Sequence, residues 1–237
     1  MNFESLGLSI EVQQALTAAG YQMPTPVQSK TIPAILKGDD VLVAAQTGTG
    51  KTAGFVAPML DILNNAAAPT ANHVKGLILS PTRELAVQLH QAIIDYGRYS
   101  GLRSAVVFGG VKINPQMMSL RKGVHLLVAT PGRLLDLQRQ NAIAFDQLKI
   151  FVLDEADKLM SLGFREEINQ LLDILPRKRQ TLMFSATLSP EIEKLAKTVL
   201  HAPVKIAVTP NEVAPAKVKQ WLVAVDKKRK TELLFEL

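Results

Sequence analysis

Cysteine is absent from the 237 residues, which excludes a disulfide framework, a thiolate metal site, an iron–sulfur cluster and a cysteine nucleophile. Histidine is scarce: His73, His90, His125 and His201 share no ligand-like spacing. No apolar run approaches the roughly 18 residues of a membrane span. The opening Met1-Asn2-Phe3-Glu4-Ser5-Leu6 has neither the basic nor the apolar region of a secretory leader. A soluble cytoplasmic protein with no membrane partner is the expectation. Charge of neither sign dominates, with 27 Lys and Arg against 21 Asp and Glu for a net charge of +6. Residues 217–237 alone hold six basic and three acidic side chains, so the rest of the chain is only mildly basic. That balance permits a nucleic-acid partner without establishing one.

What is present is a globular composition, 47% apolar and 20% charged, in a chain of about one and a half typical domain lengths. Short apolar runs recur at Val41–Ala44, Gly76–Leu79, Ala105–Phe108, Leu126–Ala129, Ile150–Leu153, Thr181–Phe184 and Val204–Val208. They are apolar on both faces instead of alternating, the pattern of a parallel sheet covered on both sides. Between them, stretches such as Glu84–Tyr99 and Phe164–Leu175 repeat apolar residues at helical spacing. This βα alternation predicts an α/β fold with a doubly wound, mainly parallel sheet. Asn64–Asn72 reads as a surface loop, and Arg177-Lys178-Arg179 and Lys227-Lys228-Arg229-Lys230 as solvated faces. Thr209–Pro215, with two prolines and no period, reads as a linker, followed by a strand-like Gln220–Val225 and the start of a helix at Thr231.

Directly after the first run comes Ala45-Gln46-Thr47-Gly48-Thr49-Gly50-Lys51-Thr52, then a helical segment. This is a P-loop pattern with alanine at the first glycine position. A turn whose successive N–H groups face outward and that ends at a helix N-terminus is built to hold phosphates. Lys51 then reaches the β and γ phosphates, and the Thr52 hydroxyl can ligate Mg²⁺. A second element, Ile150-Phe151-Val152-Leu153-Asp154-Glu155-Ala156-Asp157, places carboxylates at the C-terminal end of a buried strand, where ligands bind in open α/β sheets. Asp154 is the candidate to hold the magnesium, and Glu155 to orient or deprotonate an attacking water. Together these residues spell nucleoside triphosphate hydrolysis.

Asp154-Glu155-Ala156-Asp157 reads D-E-A-D, and the chain resembles the DEAD-box RNA helicases, with the overall look of the bacterial RhlE type. Six further segments stand in that family's order: Gly20-Tyr21 with Pro24–Gln28, Ala45–Thr52, Pro81–Ala86, Gly109-Gly110, Thr130–Arg133 and Ser185-Ala186-Thr187. The resemblance implies a RecA-like P-loop NTPase domain over residues 1–209, with its Q motif within 1–28. A linker at 210–219 and the start of a second RecA-like domain at 220–237 would follow. It implies ATP and Mg²⁺ as cofactors and RNA as partner.

Gln28 carries one amide donor and one acceptor that match the N6 and N7 edge of adenine. Tyr21 is placed to stack on the base, and Phe3 matches the family's upstream aromatic behind that pocket. Pro81, Thr82 and Arg83, Gly109 and Gly110, and Thr130, Pro131, Gly132 and Arg133 each follow a strand. The resemblance implies that they grip the RNA backbone, which makes binding sequence-tolerant and salt-dependent. Arg83 could equally pair with a carboxylate inside the domain. Ser185 and Thr187, with Asp157, are implied to couple nucleotide to unwinding.

By the same resemblance, arginine fingers from the second domain complete the site, so residues 1–237 alone should bind ATP yet hydrolyse it poorly. No Asn-Lys-x-Asp segment reads guanine, which counts against a P-loop GTPase. A nucleotide-dependent RNA-binding scaffold without unwinding activity is the other alternative.

Overall fold

The computed structural model describes residues 2–208 together with Val223, Val225 and Asp226. The expected linker and second-domain start at 210–237 lie almost entirely outside the described residues.

Seven strands form one sheet: β1 (Val41–Ala44), β2 (Val74–Leu79), β3 (Ser104–Val107), β4 (Val124–Ala129), β5 (Ile150–Leu153), β6 (Gln180–Ser185) and β7 (Val204–Ala207). Their order is β3-β4-β2-β5-β6-β1-β7 and every pairing is parallel. The flanking helices are α1 (Ile10–Ala18), α2 (Pro26–Lys37), α3 (Lys51–Asn64), α4 (Arg83–Tyr96), α5 (Ile113–Leu120), α6 (Pro131–Arg139), α7 (Ala156–Ser161), α8 (Arg165–Ile174) and α9 (Pro190–Val199). A 3₁₀ turn, Phe3–Leu6, precedes them. None of the described helices is long and apolar enough to cross a membrane.

The two-faced apolar strands find their explanation in two cores. Val41, Val43, Ile150, Val152, Leu182 and Phe184 enter one cluster, and Leu42, Phe151, Leu153 and Met183, alternating with them, enter the other. Each fully buried side chain of this size contributes about 1.5–3 kcal/mol, so neither face could be left to water. The doubly wound sheet expected from the sequence is the one observed.

Several polar side chains lock the helices that carry the site. Pro58 sits inside α3 and supplies no N–H to the carbonyl of Gly54, four residues earlier. The hydroxyl of Thr31 on α2 stands 3.2 Å from that carbonyl and 2.9 Å from the Val27 carbonyl of its own helix, so its one proton is divided between the two. The approach needs glycine at 54, because a Cβ there would stand 2.8 Å from Thr31 Oγ1. Asp61, buried on the same helix, accepts from the N–H of Ser9 at 2.7 Å and from its hydroxyl, tying down the start of α1. Asp40 accepts from the N–H groups of Thr181 and His201, both at 2.7 Å, and so joins the entry of β1 to β6 and to the segment before β7.

One sequence expectation needs correction. Arg177 and Lys178 are exposed, but Arg179 is half-buried. Its Nη1 donates to the Pro176 carbonyl at 2.6 Å, and its guanidinium lies 5.6 Å from the centre of the Phe151 ring. Burial draws its pKa downward. A charged residue that follows two exposed ones is covered here because its guanidinium packs over the Phe151 ring.

Candidate functional site

The carboxyl edge of the sheet divides into two halves. The last residues of β1, β6 and β5, neighbours in that order, carry the P-loop, Ser185-Ala186-Thr187 and the D-E-A-D segment. The neighbouring strands β2, β4 and β3 carry Pro81-Thr82-Arg83, Thr130–Arg133 and Gly109-Gly110.

In the first half, the turn from β1 into α3 passes through Gly48 at φ +84° and Gly50 at φ +85°. Gly50 is required twice over: its backbone is left-handed, and a Cβ would stand 2.5 Å from Gln28 Nε2. Thr49 Oγ1 donates to the Gln46 carbonyl at 2.8 Å, closing the loop on itself. Lys51 is buried, with Nζ donating to the Ala45 carbonyl at 2.9 Å across the mouth of the loop.

A hollow of about 490 Å³ opens beside it. Thr47, Gly48, Gly50, Lys51 and Thr52 line one side, Asp154 and Glu155 another, and Tyr21 a third. Gln46, Thr49, Gln28 and Phe3 do not line it.

Asp154 and Glu155 are both buried. Burial, the largest influence, pushes the Asp154 carboxyl up to about 6; the ammonium of Lys51 works in the opposite direction, and the charge of Glu155 adds to the rise. Glu155 caps α7 with φ 48° and ψ 52°, a left-handed conformation costly for a side chain of this type. Lys158 Nζ lies 2.9 Å from Glu155 Oε2, and that contact holds the lysine's pKa above its usual value.

Gln28 lies beneath the P-loop. It is fully buried, its Oε1 accepts from the Thr25 N–H at 2.9 Å, and its Nε2 donates to the Gly50 carbonyl at 3.0 Å. Thr25 Oγ1 reaches the Thr49 carbonyl at 2.8 Å. The two side chains that cap α2 therefore also brace the P-loop from below. Phe3, likewise buried, packs edge-on against Tyr21 with ring centres 6.2 Å apart. It supports the hollow only through Tyr21.

Sequence reasoning missed the wall made by α4. Leu85, Gln88, Leu89, Ala92 and Tyr96 line the hollow, and the Tyr96 hydroxyl is 2.7 Å from that of Tyr21. Burial and this contact raise the Tyr96 pKa. The helical period of α4 was visible, but not which neighbour its faces would meet.

In the second half, Thr82 caps α4 by accepting from the Leu85 N–H at 3.3 Å, and Pro81 is buried behind it. Among the described residues Arg83 makes no carboxylate pair; its guanidinium lies 4.8 Å from the centre of the Phe108 ring. Gln116 pins Phe108 with bonds to its N–H at 3.2 Å and its carbonyl at 3.1 Å, so the strand end before Gly109 and Gly110 is held by a side chain. This is another contact unmarked in the sequence. Thr130 and Pro131 open α6, and nothing lies within 4 Å of a Cβ built on Gly132. Arg133 turns inward, with Nη2 donating to the Val111 carbonyl at 2.8 Å, while its buried Nε and Nη1 make no hydrogen bond. It ties the Gly109-Gly110 loop to α6.

Within the first half, the Ser185 hydroxyl donates to the Thr187 carbonyl at 2.7 Å, and the Thr187 hydroxyl donates to Asp157 Oδ2 at 3.3 Å. The end of β6 is thereby bonded to the turn that carries Asp154 and Glu155.

The DEAD/DEAH box helicase family model matches residues 25–195, most of the chain. The chain belongs to that family. It is 36% identical over 237 residues to the DEAD-box ATP-dependent RNA helicase RhpA of Helicobacter pylori, covering 100% of this chain and 47% of the relative. To the DEAD-box ATP-dependent RNA helicase CshA of Bacillus cereus it is 37% identical over 235 residues, 99% of this chain and 44% of the relative. The chain thus spans about half the length of the curated relatives it matches. Among solved structures, a DEAD box protein from the hyperthermophile Methanococcus jannaschii matches with a TM-score of 0.83 at 33% identity, over 100% of this chain and 62% of that one. In this DEAD-box helicase chain the family's motifs thus stand on one edge of one sheet.

Proposed function

We propose that the chain is the first RecA-like domain of an ATP-dependent RNA helicase, binding ATP with magnesium in the hollow and single-stranded RNA along the neighbouring loops. The single observation behind this reading is the convergence of Lys51, Thr52, Asp154 and Glu155 on one hollow, beside three loops of the same sheet edge that suit a sugar-phosphate backbone. Residues 1–209 form that domain in this reading, 210–219 the linker and 220–237 the start of a second RecA-like domain. The chain's share of its relatives' length, 44–47%, supports the division.

The residues present fit magnesium. Asp154 is a buried carboxylate lining the hollow, and Thr52 offers a hydroxyl in the same hollow. Among the described residues no group of three or more His, Asp or Glu side chains could hold a metal. Two protein groups plus phosphate oxygens and water is the arrangement magnesium favours. When bound, the ion neutralises charge on the phosphates.

The chain's own groups do the rest. Lys51 leaves the Ala45 carbonyl to meet phosphate oxygens, the loop N–H groups fix the triphosphate, and Glu155 orients the attacking water and receives its proton. Gln28 acts in this reading through the loop it braces. Thr82, Gly109, Gly110, Thr130 and Gly132 present backbone and hydroxyl groups to RNA phosphates, with Arg83 at the margin and Arg133 holding two of the loops together. Ser185, Thr187 and Asp157 couple the nucleotide site to unwinding in this reading. An arginine finger supplied from outside residues 1–237 contributes about 10³–10⁵ in rate, so this chain alone should bind ATP but turn it over slowly.

ATP hydrolysis measured with and without single-stranded RNA, on this chain and on the full-length protein, tests the reading. RNA-stimulated hydrolysis in the full-length protein and little in this chain is expected. Nucleotide and RNA binding without hydrolysis in either would favour the scaffold alternative.

A further inference from the structure

Lys158 has had no role so far. It follows the D-E-A-D segment and stands one helical turn after Glu155, a spacing that brings two side chains side by side. Its Nζ is 2.9 Å from Glu155 Oε2. The two partners differ sharply in exposure: the lysine side chain is 51% exposed and the glutamate 9%. A half-solvated cation therefore reaches inward to a buried anion. Glu155 Oε2 is itself shut off from water and accepts no aligned hydrogen bond among the described residues, and the ammonium is its ion-pair partner.

Neighbouring charges sharpen the point. Lys51 lines the hollow with Asp154, Asp154 adjoins Glu155, and Lys158 pairs with Glu155. Lys158 also lines a second cleft, of about 360 Å³, together with Asp157, Thr187 and Ser189. It thus spans the gap between the turn bonded by Thr187 and the carboxylate that faces the nucleotide hollow.

We propose that Lys158 is a positioning residue for ATP hydrolysis, fixing the orientation of the Glu155 carboxylate through this ion pair. The inference rests on the reading of Glu155 as the group that orients water. An exposed pair at this spacing is worth little when both partners are solvated. Here removal of the cation leaves a buried carboxylate with no partner on one oxygen and a like charge beside it. Misplacement of a catalytic group by an ångström can cost up to a hundredfold in rate.

The test uses the full-length protein and reads kcat and KM for RNA-stimulated ATP hydrolysis, with the nucleotide Kd as a further measure. Lys158→Met should lower kcat about tenfold, with KM and Kd changed less than about twofold. Lys158→Arg, which keeps a cation within reach, should recover most of the loss. In a Glu155→Asp background, whose shorter carboxylate falls outside the pair's reach, Lys158→Met should add less than about a twofold further decrease. An unchanged or increased kcat in Lys158→Met overturns the inference, as does an equal loss in the Glu155→Asp background or a loss confined to KM. If the wild-type protein hydrolyses no ATP, the functional reading falls as well; if it does and Lys158→Met matches it, only the role of Lys158 falls.

Discussion

The hydroxyl of Thr31, which also bonds the Val27 carbonyl at 2.9 Å, reaches at 3.2 Å the Gly54 carbonyl that Pro58 leaves without its helical partner. The bond is buried and joins α2, which braces the P-loop, to α3, which the P-loop opens. Thr31→Val should therefore cost about 1–3 kcal/mol, the desolvation of an unpaired carbonyl, measured by urea unfolding. In a Pro58→Ala background, where the N–H returns, the same substitution should cost less by about 1 kcal/mol. Simple additivity would show that the hydroxyl does not serve the orphaned carbonyl.

Gln28→Ala distinguishes bracing from base reading. Both ends of its amide are bonded within the chain, to Thr25 and to Gly50. The substitution should weaken ATP and GTP binding to this chain by a similar factor, about tenfold, leaving their ratio nearly unchanged. Titration with fluorescent analogues of both nucleotides would decide, and a ratio that collapses toward one would restore direct adenine contact.

Glu155 combines a strained backbone with a functional side chain. Glu155→Gln should preserve ATP affinity and lower kcat by about 10²–10⁴. Glu155→Gly, which relieves the left-handed strain at φ 48°, should abolish turnover while stabilising the fold by about 1 kcal/mol, read as a Tm higher by about 2–4 °C. A lower Tm in the glycine variant would mean that the buried carboxylate contributes more than its backbone costs.

His125 supplies a pH dependence remote from the hollow. It is buried at the start of β4, its Nδ1 accepts from the Arg103 N–H at 3.0 Å, and burial, then Arg103 and Lys75, hold its pKa below 6.5. The unfolded chain therefore takes up this proton first as the pH falls. The contribution is complete above about 6.5 and is lost as the pH drops through the lowered value. Urea midpoints recorded from pH 7.5 to 5 should fall less steeply for His125→Asn than for wild type. His90, also shifted downward by burial, keeps part of the slope in both. Parallel curves would remove His125 from the account.

How much was legible follows from the range of each interaction. The strands could be read because a doubly covered sheet writes itself as uninterrupted apolar runs, as at Ile150–Leu153. The P-loop and the D-E-A-D segment could be read because their chemistry is local: glycines, a lysine and carboxylates at strand ends. The bracing of the P-loop by Gln28 was not legible because its partner Gly50 lies 22 residues away, while local pattern records only the cap of α2. Tyr96 and Gln116 went unseen for a related reason. Each looks like an ordinary helix residue until the neighbouring element arrives, Tyr21 in one case and the Phe108 backbone in another. Arg179 shows the same limit from the opposite side, since nothing in its sequence neighbourhood announces the Phe151 ring beneath it.

The helix Arg83–Tyr96 meets Tyr21 at its last residue and carries Thr82 and Arg83 at its first. Fourteen residues make a rod about 21 Å long, and a rod does not shift at one tip alone. A ligand that turns the Tyr21 ring pushes on a lever whose opposite tip stands among the loops of the other half, so the two halves are mechanically joined by a single stiff part.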